Sequence, residues 1–321
     1  MPGAGSFFAL PDRLAAKADP ALIAADDAHL AAIARSLDAA IADLERRLDA
    51  ERRKAGRGQA AMDRDLEIHR LSSRLRTLRR YGADLCLGRI AAADATTYIG
   101  RIGLADPDGR RLLVDWRSPA AEPFFGATHA HPMGLESRRR YRWADGAIID
   151  YWDEAFTADA LRNRAALDDQ SAFIASLSAT RSERMRDVLG TIAADQDAII
   201  RAGSQGALVV DGGPGTGKTV VALHRAAYLL YADPHVDRRR GGVLFVGPHR
   251  PYLDYVADVL PSLGEDGVQT CTPLDFVPQG RSARPEADQE AARLKSSARM
   301  MGAIDAAVAM YEQPPTTGMA V

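Results

Sequence analysis

The sequence predicts an α/β chain of three dissimilar parts: a helical hairpin, a small antiparallel β module and a domain built round a phosphate-binding glycine loop. Three observations carry that prediction. Apolar residues between Ala24 and Lys54 recur at steps of three and four. Two turn signals, Asp106-Pro-Asp-Gly109 and Asp145-Gly146, each sit between short strand-like runs. Gly212 to Thr219 reads G-x-x-x-x-G-K-T between an apolar run and a helical pattern.

In the first part, Leu30, Ile33, Leu37, Ile41, Leu44 and Leu48 form the seam of one long helix. Gly56-Arg57-Gly58 breaks it, and a second helix resumes near Ala60 with Leu66, Leu71, Leu75 and Leu78 on its apolar side. Two such helices joined by a glycine turn make an antiparallel hairpin; two helices of a globular bundle would leave the same seam. The arginines at 74, 76, 79 and 80 fit a solvated surface or a phosphate-facing one.

In the second part, Thr97–Leu104 and Arg111–Trp116 flank the first turn, and Arg140–Trp143 and Ala147–Asp150 flank the second. His129 and His131 have a metal-ligand reading, but no third ligand stands nearby, so loop histidines are expected. Arg138-Arg-Arg-Tyr-Arg-Trp143 mixes base and aromatic as single-strand binders do. A solvated strand face would read the same way, and is favoured. The role of Asp115-Trp116-Arg117 is left open.

The third part carries the chemistry. Ala207 to Val210 is apolar and β-branched, as a buried strand requires, and Thr219 to Tyr231 is helical. Between them, Gly212, Gly213, Pro214, Gly215, Thr216 and Gly217 let backbone N–H groups converge at a helix N-terminus, which attracts phosphate. Lys218 is expected to reach the β/γ-phosphates, and the Thr219 hydroxyl to hold Mg²⁺. An ATPase of this type also needs a second strand ending in an acidic residue. Gly242–Gly247 is the one clear strand downstream, and it runs into Gly-Pro-His. Asp275 follows too short a run, and Asp305 sits in a helical pattern. The absence of that acidic motif predicts an unusual enzyme or the front portion of a longer chain. A helix over Met185–Arg201, a helix over Tyr252–Leu263 and a strand over Gly267–Thr272 complete this part. Residues 280–321 read as polar, then helical.

Composition narrows the class. Of 321 residues, 46% are hydrophobic and 26% charged, as in soluble globular proteins. A net charge of −2 provides no global basic field to draw nucleic acid. Cys86 and Cys271 have no metal-ligand spacing and are too few for a disulfide framework, which predicts a reducing cytoplasm. The N-terminus lacks a charged segment followed by a long apolar core, and no window approaches a membrane span. A soluble cytoplasmic monomer is expected.

Gln196, in Ala194-Asp-Gln-Asp-Ala-Ile-Ile200, stands upstream of the glycine loop. It resembles the adenine-reading glutamine of superfamily 1 helicases, whose side-chain amide both donates to and accepts from the adenine edge. Tyr98–Leu104, Leu113-Val-Asp-Trp-Arg-Ser-Pro-Ala120 and Gly247–Gly264 resemble the HelD family, helicase-like ATPases that bind bacterial RNA polymerase. Asp168–Ile174 and Leu294–Met300 are similar to its actinobacterial branch, HelR, the RNA polymerase recycling motors. The resemblance runs from about Leu10 onward. It implies a P-loop NTPase fold, RecA-like and of superfamily 1 type, with ATP and Mg²⁺ as ligands. It makes 1–85 the helical arm, with residues 24–84 entering the polymerase secondary channel, and 86–158 the β module. By the same comparison 159–280 is the first part of motor domain 1A, and 281–321 the start of an insertion.

The family's activity, as the resemblance implies it, is ATP-coupled release of polymerase core enzyme from DNA or stalled complexes, with displacement of rifamycins in the HelR branch. ATP hydrolysis belongs to the whole protein, and the stretch in hand lacks the second motor domain. Two further readings stay open: a superfamily 1 DNA helicase or translocase, and a non-catalytic polymerase-binding module.

Overall fold

The computed structural model describes residues 5–55, 57–93, 95–157, 192–236, 242–257, 268–277, 284 and 286–312. The chain divides into two compact units, residues 1–271 and 272–321. The predicted helix before Ile192, the Asp168–Ile174 motif, Gly56 and the second half of the Tyr252–Leu263 helix lie outside the described residues.

Helix α1, Pro20–Arg53, spans 34 residues. Pro20 occupies its first turn, and the Asp19 carboxylate accepts the Ala21 N–H at 2.9 Å, satisfying one of the orphan donors there. Gly58, at φ 60, admits the left-handed turn before α2, Gln59–Leu78. The hairpin forms, but its seam does two jobs. Toward the tip, Leu48, Leu71 and Leu75 pack together, helped by Ile41, Leu44 and Ile68. Leu30, Ile33 and Leu37 leave the hairpin and pack on the β sheet instead. Leu66, expected on the buried side of α2, is 68% exposed. Among the described residues, α2 near the tip packs on α1 alone, and one partner cannot cover a wide apolar stripe.

The sheet has six strands: β1 Cys86–Ala92, β2 Ala95–Gly100, β3 Leu104–Ala105, β4 Arg111–Asp115, β5 Ser137–Ala144 and β6 Ala147–Ala155. Their order is β3-β4-β2-β1-β5-β6. The β5–β6 hairpin turns at Asp145 (φ 49) and Gly146 (φ 79), both left-handed as a two-residue hairpin loop requires. The first predicted hairpin is corrected. Thr97–Leu104 is not one strand: the chain bends after Gly100, and only Leu104–Ala105 pairs antiparallel with β4. β2 pairs with β4 in parallel, Ile99 opposite Val114, so the module is antiparallel apart from this one pair. β1 was not foreseen; its Gly88 and Arg89 break the apolar run.

Alternation along the strands sends side chains to opposite faces. Tyr98 and Leu113 join α1 in one core, while Ile99 and Val114 join a second core on the other face. That second core also holds Trp116, Phe124 and Phe125, the last two from the short helix α3, Glu122–Gly126. It continues without a break into α4 (Ala194–Arg201), α5 (Lys218–Ala232) and α6 (Arg250–Ala257) through Ile200, Leu223, Ala227 and Val256.

Most of the basic–aromatic run 138–143 is not a solvated face; Arg142 alone is exposed and Trp143 is half-buried. Arg138, Arg139, Arg140 and Tyr141 are all buried. Arg139 makes two bonds to Asp153, at 2.7 and 2.6 Å, and a third to Asp26 of α1 at 2.8 Å, while Arg138 pairs with Glu154. Asp26 also accepts from the Tyr98 hydroxyl at 2.8 Å, and Arg89 Nε lies 2.8 Å away as an ion pair without hydrogen-bond alignment. Buried charge survives only when paired and hydrogen-bonded. This network bolts the foot of the hairpin to the sheet.

Strands β7, Leu244–Val246, and β8, Gln269–Cys271, form a separate parallel pair. The strand expected at Ala207–Val210 is not formed, and Val209 is 88% exposed. Apolar, β-branched sequence satisfies only half of what a strand needs. The other half is a neighbour for its backbone, and among the described residues β7 and β8 pair only with each other. Residues 272–321 make the second unit, with a short 3-10 turn at Pro273–Phe276 and helices α7, Gln289–Lys295, and α8, Arg299–Glu312.

Candidate functional site

The glycine loop runs from Asp211 into the first turn of α5. Gly215 (φ 79) and Gly217 (φ 83) hold left-handed conformations that a side chain would strain. At Gly212 a Cβ would lie 2.7 Å from Thr216 Oγ1, so the close wrap of the loop also excludes one. Inside the wrap, the Lys218 ammonium donates to the carbonyl oxygens of Gly212 and Gly213 at 2.6 and 2.7 Å. Thr216 Oγ1 donates to the Gly213 carbonyl at 2.9 Å. The loop therefore curls round its own cation, and residues 211–216 are exposed. Pro214 is an exposed turn residue of the loop. An exposed loop with an ammonium at the start of a 15-residue helix places positive charge where an anion can reach it.

Thr219 faces inward from α5, and the Tyr252 hydroxyl donates to its hydroxyl at 3.2 Å. Tyr252 arrives because the strand-to-helix turn at Gly247 is tight: a Cβ there would sit 2.5 Å from Leu253 and 2.9 Å from Tyr252.

Gln196 is brought to the loop. It stands in the first turn of α4, where its Oε1 accepts the Ala193 N–H at 3.2 Å and its Nε2 donates to the Thr216 carbonyl at 3.3 Å. A Cβ on Gly217 would come within 3.0 Å of that Nε2. Gln196, Thr216, Gly217 and Lys218 thus form one constellation.

Three side chains that sequence reasoning missed hold it in place. Arg225 of α5 donates to the carbonyls of Ile199, Ala202 and Gly203, closing the C-terminal end of α4. Asp197 and Arg201, also on α4, make a two-bond ion pair at 3.0 and 2.9 Å. Their spacing of four on a helix was the one signal available. Burial, above all, raises the Asp197 pKa, and Arg201 opposes that rise. Arg201 also donates to the Trp116 carbonyl at 2.8 Å and the Ser118 carbonyl at 3.4 Å.

Those carbonyls give Asp115-Trp116-Arg117 its role. Asp115 and Arg117 pair at 2.8 and 2.7 Å, with the Arg117 guanidinium over the Tyr231 ring of α5 at 4.6 Å. Trp116 is fully buried against His224, whose pKa burial lowers to about 4. The tripeptide is a bracket between the sheet and the helix that follows the loop.

Residues 23–171 match the family model of the DNA helicase IV HelD N-terminal domain. The match supports a HelD-like family. It covers the hairpin from within α1, the whole six-stranded sheet and the Trp116 bracket, so the helices on either side of the glycine loop pack on the region that matches this family model. No curated protein matches the chain.

The remaining candidates separate from this site. His129 and His131 are exposed, with the His129 ring against Phe156, and among the described residues no cluster of His, Cys, Asp or Glu could hold a metal ion. Asp275 caps its own turn, accepting from the Thr272 N–H and hydroxyl at 2.8 and 2.9 Å. Burial pushes the Cys86 thiol far up, which leaves it inert. Among the described residues, no helix is long and apolar enough to cross a membrane.

Proposed function

We propose that residues 212–219, with Gln196, bind Mg·ATP in a P-loop domain of RecA-like, superfamily 1 type. The protein then acts as a HelD-type motor that releases bacterial RNA polymerase from DNA or stalled complexes. The observation that carries this reading is the convergence of Gln196 and Lys218 on one loop, anchored to a HelD-type domain. Lys218 would face the β/γ-phosphates, the Thr219 hydroxyl would take the cation, and Gln196 would read the adenine edge. Mg²⁺ would supply charge neutralisation at the phosphates, while the chain's own residues bind and orient.

The hairpin is the polymerase-docking element. It projects from the sheet on a charged network and leaves its distal half to pair with itself. A DNA-translocating reading is weaker, because Arg138–Tyr141 of the basic–aromatic run that would have held a strand are buried. The resemblance to the HelR branch extends the proposal to displacement of rifamycins from the polymerase.

The test is titration of the protein with a fluorescent ATP analogue in Mg²⁺, alongside Lys218→Ala. Saturable binding that the substitution weakens supports the reading. Equal binding by both proteins removes the loop from it.

A further inference from the structure

We infer that Arg201, held by the backbone of the Trp116–Ser118 bracket, is a positioning residue for Gln196, so that the HelD-type domain sets base selection at the nucleotide site. The inference rests on the reading of Gln196 as the adenine-recognising residue.

Helix α4 is only 8 residues long and carries Gln196 in its first turn. So short a helix has little stability of its own; its orientation comes from what grips it. Two grips exist. Arg225 of α5 takes its last carbonyls, which fixes the end far from Gln196. Arg201 reaches back along the helix to Asp197, the residue beside Gln196, and outward to the Trp116 and Ser118 carbonyls. Its guanidinium lies over the rings of Phe125 of α3 and Tyr228 of α5 at 5.8 and 5.4 Å.

The Arg201 and Asp197 side chains are 8% and 3% exposed, so the pair is fixed rather than a mobile surface contact. The outward bonds end on main-chain carbonyls of the loop after β4, which no side-chain rotation can move. The first turn of α4 is therefore registered against the sheet, and Gln196 inherits that register. Triphosphate contacts come from the loop and the first turn of α5, whereas the grip meets α5 at Tyr228, well past that turn. Arg201 should thus govern which base is accepted and leave phosphate affinity alone.

The experiment measures Kd for Mg·ATP, Mg·GTP and Mg·tripolyphosphate, the last a probe of the loop without a base. Four proteins are compared with the parent: Gln196→Ala, Arg201→Lys, Arg201→Met with Asp197→Leu, and Arg201→Lys in the Gln196→Ala background. Arg201→Lys keeps the charge but not the fork that holds Asp197 and two carbonyls together. The paired apolar variant avoids stranding a buried carboxylate.

Gln196→Ala should reduce the ATP:GTP preference about tenfold, the worth of one or two hydrogen bonds. Arg201→Lys should reduce it at least about threefold, and the apolar pair more, with tripolyphosphate affinity within about twofold of the parent. In the Gln196→Ala background, Arg201→Lys should change the preference no further, because the two act through one contact. If Gln196→Ala erodes the preference and both Arg201 variants keep it, the positioning role is overturned while the adenine reading stands. An additive loss in the double variant overturns it too. If Gln196→Ala itself changes nothing, the adenine reading falls and the inference with it. Should the apolar pair fail to fold, Arg201→Lys alone decides.

Discussion

The indole of Trp116 meets the imidazole of His224 nearly edge to face, ring centres 5.5 Å apart, in the core shared by the sheet and α5. His224 Nδ1–H donates to the Val220 carbonyl at 2.7 Å, and among the described residues Nε2 has no hydrogen-bond partner. Burial, with Arg101 adding repulsion, lowers its pKa from 6.5 to about 4. The unfolded chain therefore binds this proton more readily than the folded one. Stability should be full above about pH 6.5 and fall as pH drops toward 4, by a few kcal/mol at most. His224→Asn, which keeps a donor toward Val220, should flatten that part of the profile. Urea midpoints between pH 4 and 7 provide the check, and an equal slope in both proteins would contradict it.

Gly217 serves two constraints at once. Its φ of 83 favours glycine, and a Cβ would come within 3.0 Å of Gln196 Nε2. Gly217→Ala should cost about 1 kcal/mol or more in the loop and disturb Gln196 and Lys218 together. Mg·ATP affinity should fall more than tenfold, with little change in the melting temperature. Calorimetric titration reads the first and differential scanning fluorimetry the second.

Lys218→Ala removes the charge that the loop encloses. Hydrogen bonds to charged groups are worth about 1.5–3 kcal/mol, so affinity for Mg·ATP should drop roughly ten- to a hundredfold. Competition against a labelled analogue measures this, and an unchanged constant would remove Lys218 from the site.

The hairpin seam makes unequal demands along α2. Leu75 is buried between the helices, and Leu66 is 68% exposed. Leu75→Ala should cost about 2–5 kcal/mol, whereas Leu66→Ala should stay within about 0.5 kcal/mol. Denaturant unfolding of both variants distinguishes the two positions.

What the sequence made legible was local. The 3.6-residue seam of α1 and the Asp145-Gly146 turn are written within a few residues of where they act. The same holds for the glycine loop, whose turn chemistry needs no distant partner. Non-local features stayed hidden. Arg139 reads as solvated because Asp26, which neutralises it, lies 113 residues away. Ala207–Val210 looked like a strand because propensity contains no information about neighbours. The parallel β2–β4 pair depends on a bend at Arg101–Gly103 that alternation does not encode. At the site, Gln196 and Lys218 were readable as motifs, whereas Tyr252 and Arg201 act through contacts 33 and 85 residues away.

In the proposed function, a HelD-type domain docks on bacterial RNA polymerase through its hairpin while a separate loop handles nucleotide. Removing residues 1–84 would be a poor test, because Asp26, Leu30, Ile33 and Leu37 are part of the sheet's own core and network. Replacing residues 49–70 with a short Gly-Ser linker shortens the arm and keeps that foot. Biolayer interferometry against core polymerase at moderate salt is the measurement. The parent chain and Lys218→Ala should bind alike, and the shortened arm should lose most of the affinity. Equal binding by the shortened and parent proteins would contradict the claim, as would no binding by a folded parent.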